Sequence, residues 1–496
     1  MKKKTQSLVE KIKKEFNDKS KVESLEFDFG DKKGMLFYIE SLIDKKLMAS
    51  SVIEPIQKFL KNTNNSEIKN LKIDDFIKEV FSISAIETLS GSATTVSAIL
   101  DGKVVFVFNE DAVAIPIFGA QKRTVAEPPT SRVVKGPREG FVEDVSTNLG
   151  LVRKRLKTTN LQVEEIFIGK QTHTLVSLVY LKNIVRPEIV KTVKKKLKSI
   201  DIDAIVDSYY IESFLEDNKV KFFRRVGNTE KPDIFCAKVL EGRVGLIVDG
   251  SPVALTVPFV FFEDLQSSQD YYTIPAMASF ARVVRLFELI YAVLAPAIYV
   301  ALQSYNYRIL PINFLITLLS SIESLSIPPL IEILIVLFLF EVITEASLQM
   351  PNSMGMALSI IGALALGNTA VDAGIISPPS IVVVATSSVA LYSIPDEISQ
   401  TRILRILFTI AGGVVGLYGI ICSFMILIAY IVSIKSFGVP YLSPYAPSVR
   451  LDKRDGFIKH SIQDLKRRPT FIAGKNKTRQ KSNAVGDSEW AQDSFI

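Results

Sequence analysis

Five carboxylates stand in or beside apolar stretches: Glu288, Glu332, Glu341, Glu345 and Asp372. An acidic side chain at membrane depth is costly, so it faces protein or water. Glu341 and Glu345 are four residues apart and share one helix face. Next to them runs Glu345–Pro395, EASLQMPNSMGMALSIIGALALGNTAVDAGIISPPSIVVVATSSVALYSIP. Rings of carboxylates favour cations, and apolar rings gate by wetting. Glu341 and Asp372 are therefore candidate polar groups on an ion path, and Met356, Ile360 and Leu364 a candidate hydrophobic constriction. Gly355, Gly362, Gly367 and Gly374 would let helix backbones approach closely. The competing reading is plain bundle packing, with Glu288 and Glu345 at wetted interfaces.

Other chemistry is poorly supplied. The 496 residues contain two histidines, His173 and His460, and two cysteines, Cys236 and Cys422. That leaves no His-rich metal site, no histidine-based triad and no disulfide framework, and it implies a reducing compartment. Phosphate-loop, dinucleotide and nucleophile-elbow motifs are missing; GKQTHT at 169 lacks both the Ser/Thr after Lys and the upstream Gly. We expect no enzyme, cofactor or metal. The excess of basic residues, net +7, is concentrated at 1–14, 191–198 and 450–481. These runs lack the interleaved aromatics of a base-stacking surface, so nucleic acid is not an expected partner. They suit solvated charge, positive-inside topology and attraction to anionic lipid.

The elements that must position the carboxylates fall into a soluble-looking part and an apolar part. Residues 1–34 open with MKKKTQSLVEKIKKEF, which is basic and amphipathic, without the apolar run of a signal peptide. The first ~280 residues are expected to stay in the cytoplasm. Residues 35–125 read as strand, helices and the hairpin KVVFVF/AVAIPIF; 159–280 repeat the order and end in EGRVGLIV/PVALTVPF. The hairpins match at a constant offset, Leu100–Val104 against Leu240–Val244, and point to an internal duplication. Between them, 126–158 form a Pro/Gly-rich linker followed by a helix. Arg138 and Glu139 in the linker, and Asp249, Gly250 and Pro252 in the second hairpin turn, are candidate inter-domain contacts; a simple turn is the plainer reading of 249–252.

Residues 281–435 read as four to six membrane segments. Leu286–Leu302 is expected to be interrupted at Pro296, Ile312–Ile322 is too short to span, and Ile406–Val432 is one Gly-containing segment. Residues 436–496 are a Pro-rich exit and a basic tail. The expected fold is an α/β cytosolic region of two duplicated subdomains, followed by an α-helical polytopic membrane domain. Basic flanks place both termini inside.

Several stretches carry a resemblance when taken together: GPREGF (136–141), RKRLK (153–157), TEKPD (229–233), EGRVGLIVDGSPVALTVPF (241–259), AIYVALQSYN (297–306), Glu345–Ser377 and SFGVPYLSPYAP (436–447). The chain resembles the A subunit of GerA-type spore germinant receptors from about residue 35 to about 470. It departs at Lys231 and Thr344, where the pattern has Arg, and at Phe222–Arg225. The resemblance implies a multi-pass protein of the spore inner membrane, with its N-terminal domain and C-terminal tail on the core side. It also implies assembly with a transporter-like B subunit and a lipoprotein C subunit, homo-oligomers, and a part in forming or gating an ion conduit that triggers germination. A non-conducting scaffold is the alternative.

Overall fold

The computed structural model describes residues 2–16, 22–29, 32–62, 76–77, 80–81, 86–108, 111–117, 135–216, 222–322, 327–349 and 369–480. The first sheet uses β1 (Val22–Phe29), β2 (Lys32–Ile39), β3 (Glu87–Leu89), β4 (Val104–Phe108) and β5 (Asp111–Ile115), in the order β1-β2-β4-β5-β3. The second uses β6 (Leu161–Ile168), β7 (Thr174–Leu181), β8 (Gly227–Thr229), β9 (Val244–Val248) and β10 (Ala254–Val257), in the order β6-β7-β9-β10-β8. The strand orders correspond one to one, and every pairing is antiparallel.

An antiparallel sheet with one wet face alternates apolar and polar residues. The central strands VVFVF and VGLIV do not, because both faces are covered and every residue in them is buried. In β4, Val104, Phe106 and Phe108 enter one core, while Val105 and Val107 enter the other. The first core is closed by a helical run containing α2 (Lys45–Met48) and α3 (Glu54–Asn62). The second is closed by α1 (Lys2–Glu15) and α4 (Ser92–Leu100).

The stretch 1–34 is thus not a separate basic segment. Ile12 and Phe16 are buried on the sheet, and β1 begins at Val22. In the second subdomain, α5 (Val145–Arg155) and α8 (Pro232–Leu240) cover one face; α6 (Pro187–Lys198) and α7 (Ser208–Leu215) cover the other. The linker helix α5 belongs to this core, and Lys157, just past its end, reaches back to the first subdomain, its Nζ 2.7 Å from Asp101.

The apolar part comprises α9 (Pro275–Ser304), α10 (Ile312–Ile322), α11 (Pro329–Gln349), a turn of helix α12 (Ala370–Asp372), α13 (Pro378–Leu391), α14 (Ile398–Val415) and α15 (Leu417–Ser433). Among the described residues, two helices are long and apolar enough to cross a membrane, Pro275–Ser304 and Pro395–Val415. The segment expected over Ile406–Val432 is instead two helices. Gly416 adopts φ +71, a conformation costly for other residues, and ends α14. Ala411 then lies against Gly419, and Leu404 and Leu427 share one cluster, so α15 folds back along α14. Gly412 lets α14 approach α9 closely: a Cβ there would sit 2.6 Å from the Ala297 carbonyl oxygen.

The expected interruption at Pro296 is also absent: α9 runs through it for 30 residues. Proline lacks the N–H that would bond the carbonyl four residues earlier. Ser387 Oγ of α13 supplies that bond, donating to the Ala292 carbonyl at 2.9 Å.

Candidate functional site

The bundle returns to the α/β part through its C-terminal segment. After α15, the short strands β11 (Lys435–Ser436) and β12 (Val439–Pro440) pair and pack on the second subdomain. Phe259 N–H donates to Ser436 Oγ at 3.0 Å, and Ser436 Oγ donates to the Arg225 carbonyl at 2.7 Å. Further along, Arg186 donates to the carbonyls of Ala473 (3.0 Å) and Thr470 (2.6 Å). Residues 436–480 therefore form a strap packed on the second subdomain. The sequence hides this because its bonds go to residues far away in the chain.

Arg282 and Arg285 hold the centre of the strap. Arg282 is fully buried and bonds Asp270 Oδ2 at 3.1 Å, Asp455 Oδ1 at 3.0 Å and the Gly456 carbonyl at 2.7 Å. Arg285 grips Asp270 through both Nη atoms at 2.9 Å. Burial pushes the Asp270 carboxyl up, but the two arginines outweigh it and hold it below its ordinary value. This cluster joins the chain entering the bundle to the chain leaving it. The partners of the two arginines lie up to 174 residues away in the sequence.

Inside the bundle the candidate carboxylates separate. Glu332 is buried and caps α13: its Oε1 accepts from Ser377 N–H and Ser377 Oγ, both at 2.7 Å. Glu341 faces α14, with Oε1 2.8 Å from Arg402 and Oε2 4.0 Å from Arg405. These three line a small cleft with Phe340, Thr344 and Ser388. Arg405 also donates to Ser388 Oγ at 3.0 Å. The candidate path group Glu341 is thus ion-paired within its own chain.

Asp372 is exposed at the end of α12, and Gly374, at φ +64, makes the turn that follows. Met356, Ile360, Leu364, Gly355, Gly362 and Gly367 lie outside the described residues.

The candidate inter-domain residues divide likewise. Asp249 Oδ1 accepts from Val145 N–H at 3.2 Å, and Gly250 N–H donates to the Glu143 carbonyl at 2.8 Å. The hairpin turn therefore docks the start of α5 within one chain. Glu139 pairs with Arg155 and lies 3.6 Å from Lys154 on α5. Arg138 is exposed and Pro252 half-buried. Among the described residues no cluster of His, Cys, Asp and Glu could hold a metal ion.

Comparison with known proteins matches residues 10–471 to the family described as Bacillus/Clostridium GerA spore germination protein. Spore germination protein KA of Bacillus subtilis (strain 168) is 31% identical over 480 residues, covering 95% of this chain and 87% of that protein. Spore germination protein GerLA of Bacillus cereus is 33% identical over 445 residues, with 89% of each covered. Among solved structures, the N-terminal domain of the A subunit of the Bacillus megaterium spore germinant receptor GerK3 aligns with 51% of this chain and 94% of its own length, at 27% identity and a TM-score of 0.38. The chain belongs to the GerA family of Bacillus/Clostridium spore germination proteins, and within it to the A subunits.

Proposed function

We propose that this chain is the A subunit of a nutrient germinant receptor in the spore inner membrane, where copies assemble to form or gate an ion conduit. The observation that carries the reading is how little of the bundle one copy covers. In the most apolar window of each long helix, 33% of the residues are buried within the chain. Phe280, Phe287, Tyr418, Met425 and Ile426 remain exposed on α9 and α15. Lipid and neighbouring subunits would cover them, since soluble proteins rarely leave such apolar surface open.

In this reading the bundle is a multi-pass membrane domain. The two subdomains and the strap lie together on the core side, and their matching strand orders reflect an ancestral duplication. A transporter-like B subunit and a lipoprotein C subunit are the partners. Asp372, exposed beside the Gly-rich stretch, and Met356, Ile360 and Leu364 within it, are the proposed path and gate. Activity is signalling rather than catalysis.

A second reading, a non-conducting scaffold that couples nutrient sensing to a separate channel, is favoured by the pairing of Glu341 with Arg402, which neutralises one candidate path carboxylate. Mass photometry of the chain in lipid nanodiscs tests assembly: a defined multimer supports the conduit, and a monomer at all protein concentrations counts against it.

A further inference from the structure

Three carboxylates converge on one arginine where the second subdomain meets the bundle. Arg224, ahead of β8, bonds Asp264 and also Asp396 Oδ2 at 3.1 Å; its Nε lies 3.7 Å from Glu397 Oε1. Its guanidinium stacks on Phe259, 4.6 Å from the ring centre. Asp264 follows the helical turn Phe261–Glu263, whereas Asp396 and Glu397 belong to the turn between α13 and α14. The Asp264 and Glu397 side chains are 1% and 3% exposed, while Asp396 is 54% exposed.

One guanidinium cannot neutralise two buried carboxylates and a third at their edge. The Asp264 and Glu397 carboxyls both lie against the same Arg224 guanidinium, which brings the two acids together. Asp264 Oδ2 and Glu397 Oε1 each have no donor among the described residues. Two ionised carboxylates are acceptors only, so they cannot bond each other without a proton between them. Like charges at that distance also disfavour double ionisation.

We propose that Asp264 and Glu397 form a proton-binding site that latches the second subdomain to the α13–α14 turn. With the proton in place, one carboxyl donates to the other and both orphaned oxygens gain a partner. When it leaves, two buried anions face each other across the junction.

The surroundings do not cancel this. Burial pushes the Asp264 carboxyl up to about 6, against the pull of Arg224. Glu263, its neighbour, is taken by Arg243 and by Lys238, the latter at 2.7 Å. Arg224 also donates to Asn228 Oδ1 at 3.2 Å. From the strap, the buried Tyr441 hydroxyl stays neutral, its pKa raised by burial and by these same carboxylates. On α14, Arg402 and Arg405 face Glu341 instead. A raised carboxyl pKa means that the closed junction binds more protons than the open one. Latch stability is full below about pH 4 and falls as pH rises from there until the pair has lost its shared proton.

The test is amide exchange of the full chain in lipid nanodiscs, followed at 259–265 and 395–401 from about pH 5 to about pH 8 and corrected for the intrinsic amide rate. Opening should rise by up to about tenfold per pH unit across that window and level off once the shared proton is gone. Glu397→Gln, whose amide can donate to Asp264 at any pH, should flatten that rise. Asp396→Asn should move it to lower pH. Infrared spectra of the wild type should show a protonated-carboxyl band near neutral pH that either Glu397→Gln or Asp264→Asn removes. A pH-independent wild-type profile, a Glu397→Gln profile that keeps the slope, or a wild type lacking the band would overturn the proposal. The wild-type measurements decide even where a variant fails to fold.

Discussion

Ser387 on α13 donates to the Ala292 carbonyl on α9, the one that Pro296 leaves without its helical N–H. The same hydroxyl accepts from Arg405 Nη1 at 3.3 Å, so α9, α13 and α14 meet at one serine. Ser387→Ala should cost about 1–3 kcal/mol by orphaning a buried carbonyl. The check is thermal unfolding in detergent, where Ser387→Ala should melt below wild type and Ser387→Thr should recover most of the loss.

The strap depends on Arg282. Removing one partner of a buried pair costs about 3–5 kcal/mol, because the other charge is left unpaired. Arg282→Leu should release Asp455 and expose the strap. Limited proteolysis should then cut within 446–460 at least about tenfold faster than in wild type. Unchanged cleavage would show that the strap is held elsewhere.

Acid should open the same junction from the opposite direction to the latch at Asp264. Asp270 is held below its ordinary pKa, so its contribution is present above the unfolded value of about 3.9 and is lost as pH falls through the folded value. Arg285→Gln, which removes the bidentate grip, should raise the pH at which 265–285 loses amide protection in acid. The readout is exchange at that segment between about pH 3 and about pH 5.

The α/β fold is largely legible because apolar runs fix it. The offset of the two hairpins carries over to whole elements: α4 and α8, β4 and β9, and β3 and β8 each begin 140 residues apart, the separation of Leu100 and Leu240. The edge strand β1 is not legible, because VESLEFDF interleaves acidic residues and reads as a solvated segment. Strand β8 is three residues long, too short for any period to show. In the bundle, helix breaks are misread where a distant group decides them. Pro296 does not interrupt α9 because Ser387 repairs it, and Gly416 ends α14 although the apolar run continues unbroken. The junction is least legible of all. Arg224, Asp264 and Glu397 are ordinary charged residues until the fold brings them together.

Whether ions pass through an assembly of these chains is tested most directly by current recording. The chain is reconstituted in planar bilayers, alone and with the proposed B and C subunits. The account predicts a cation-selective conductance that Leu364→Ala raises at rest and Asp372→Asn lowers or makes less selective. Absence of conductance in every reconstitution, with correctly folded protein, would contradict the conduit and favour the scaffold.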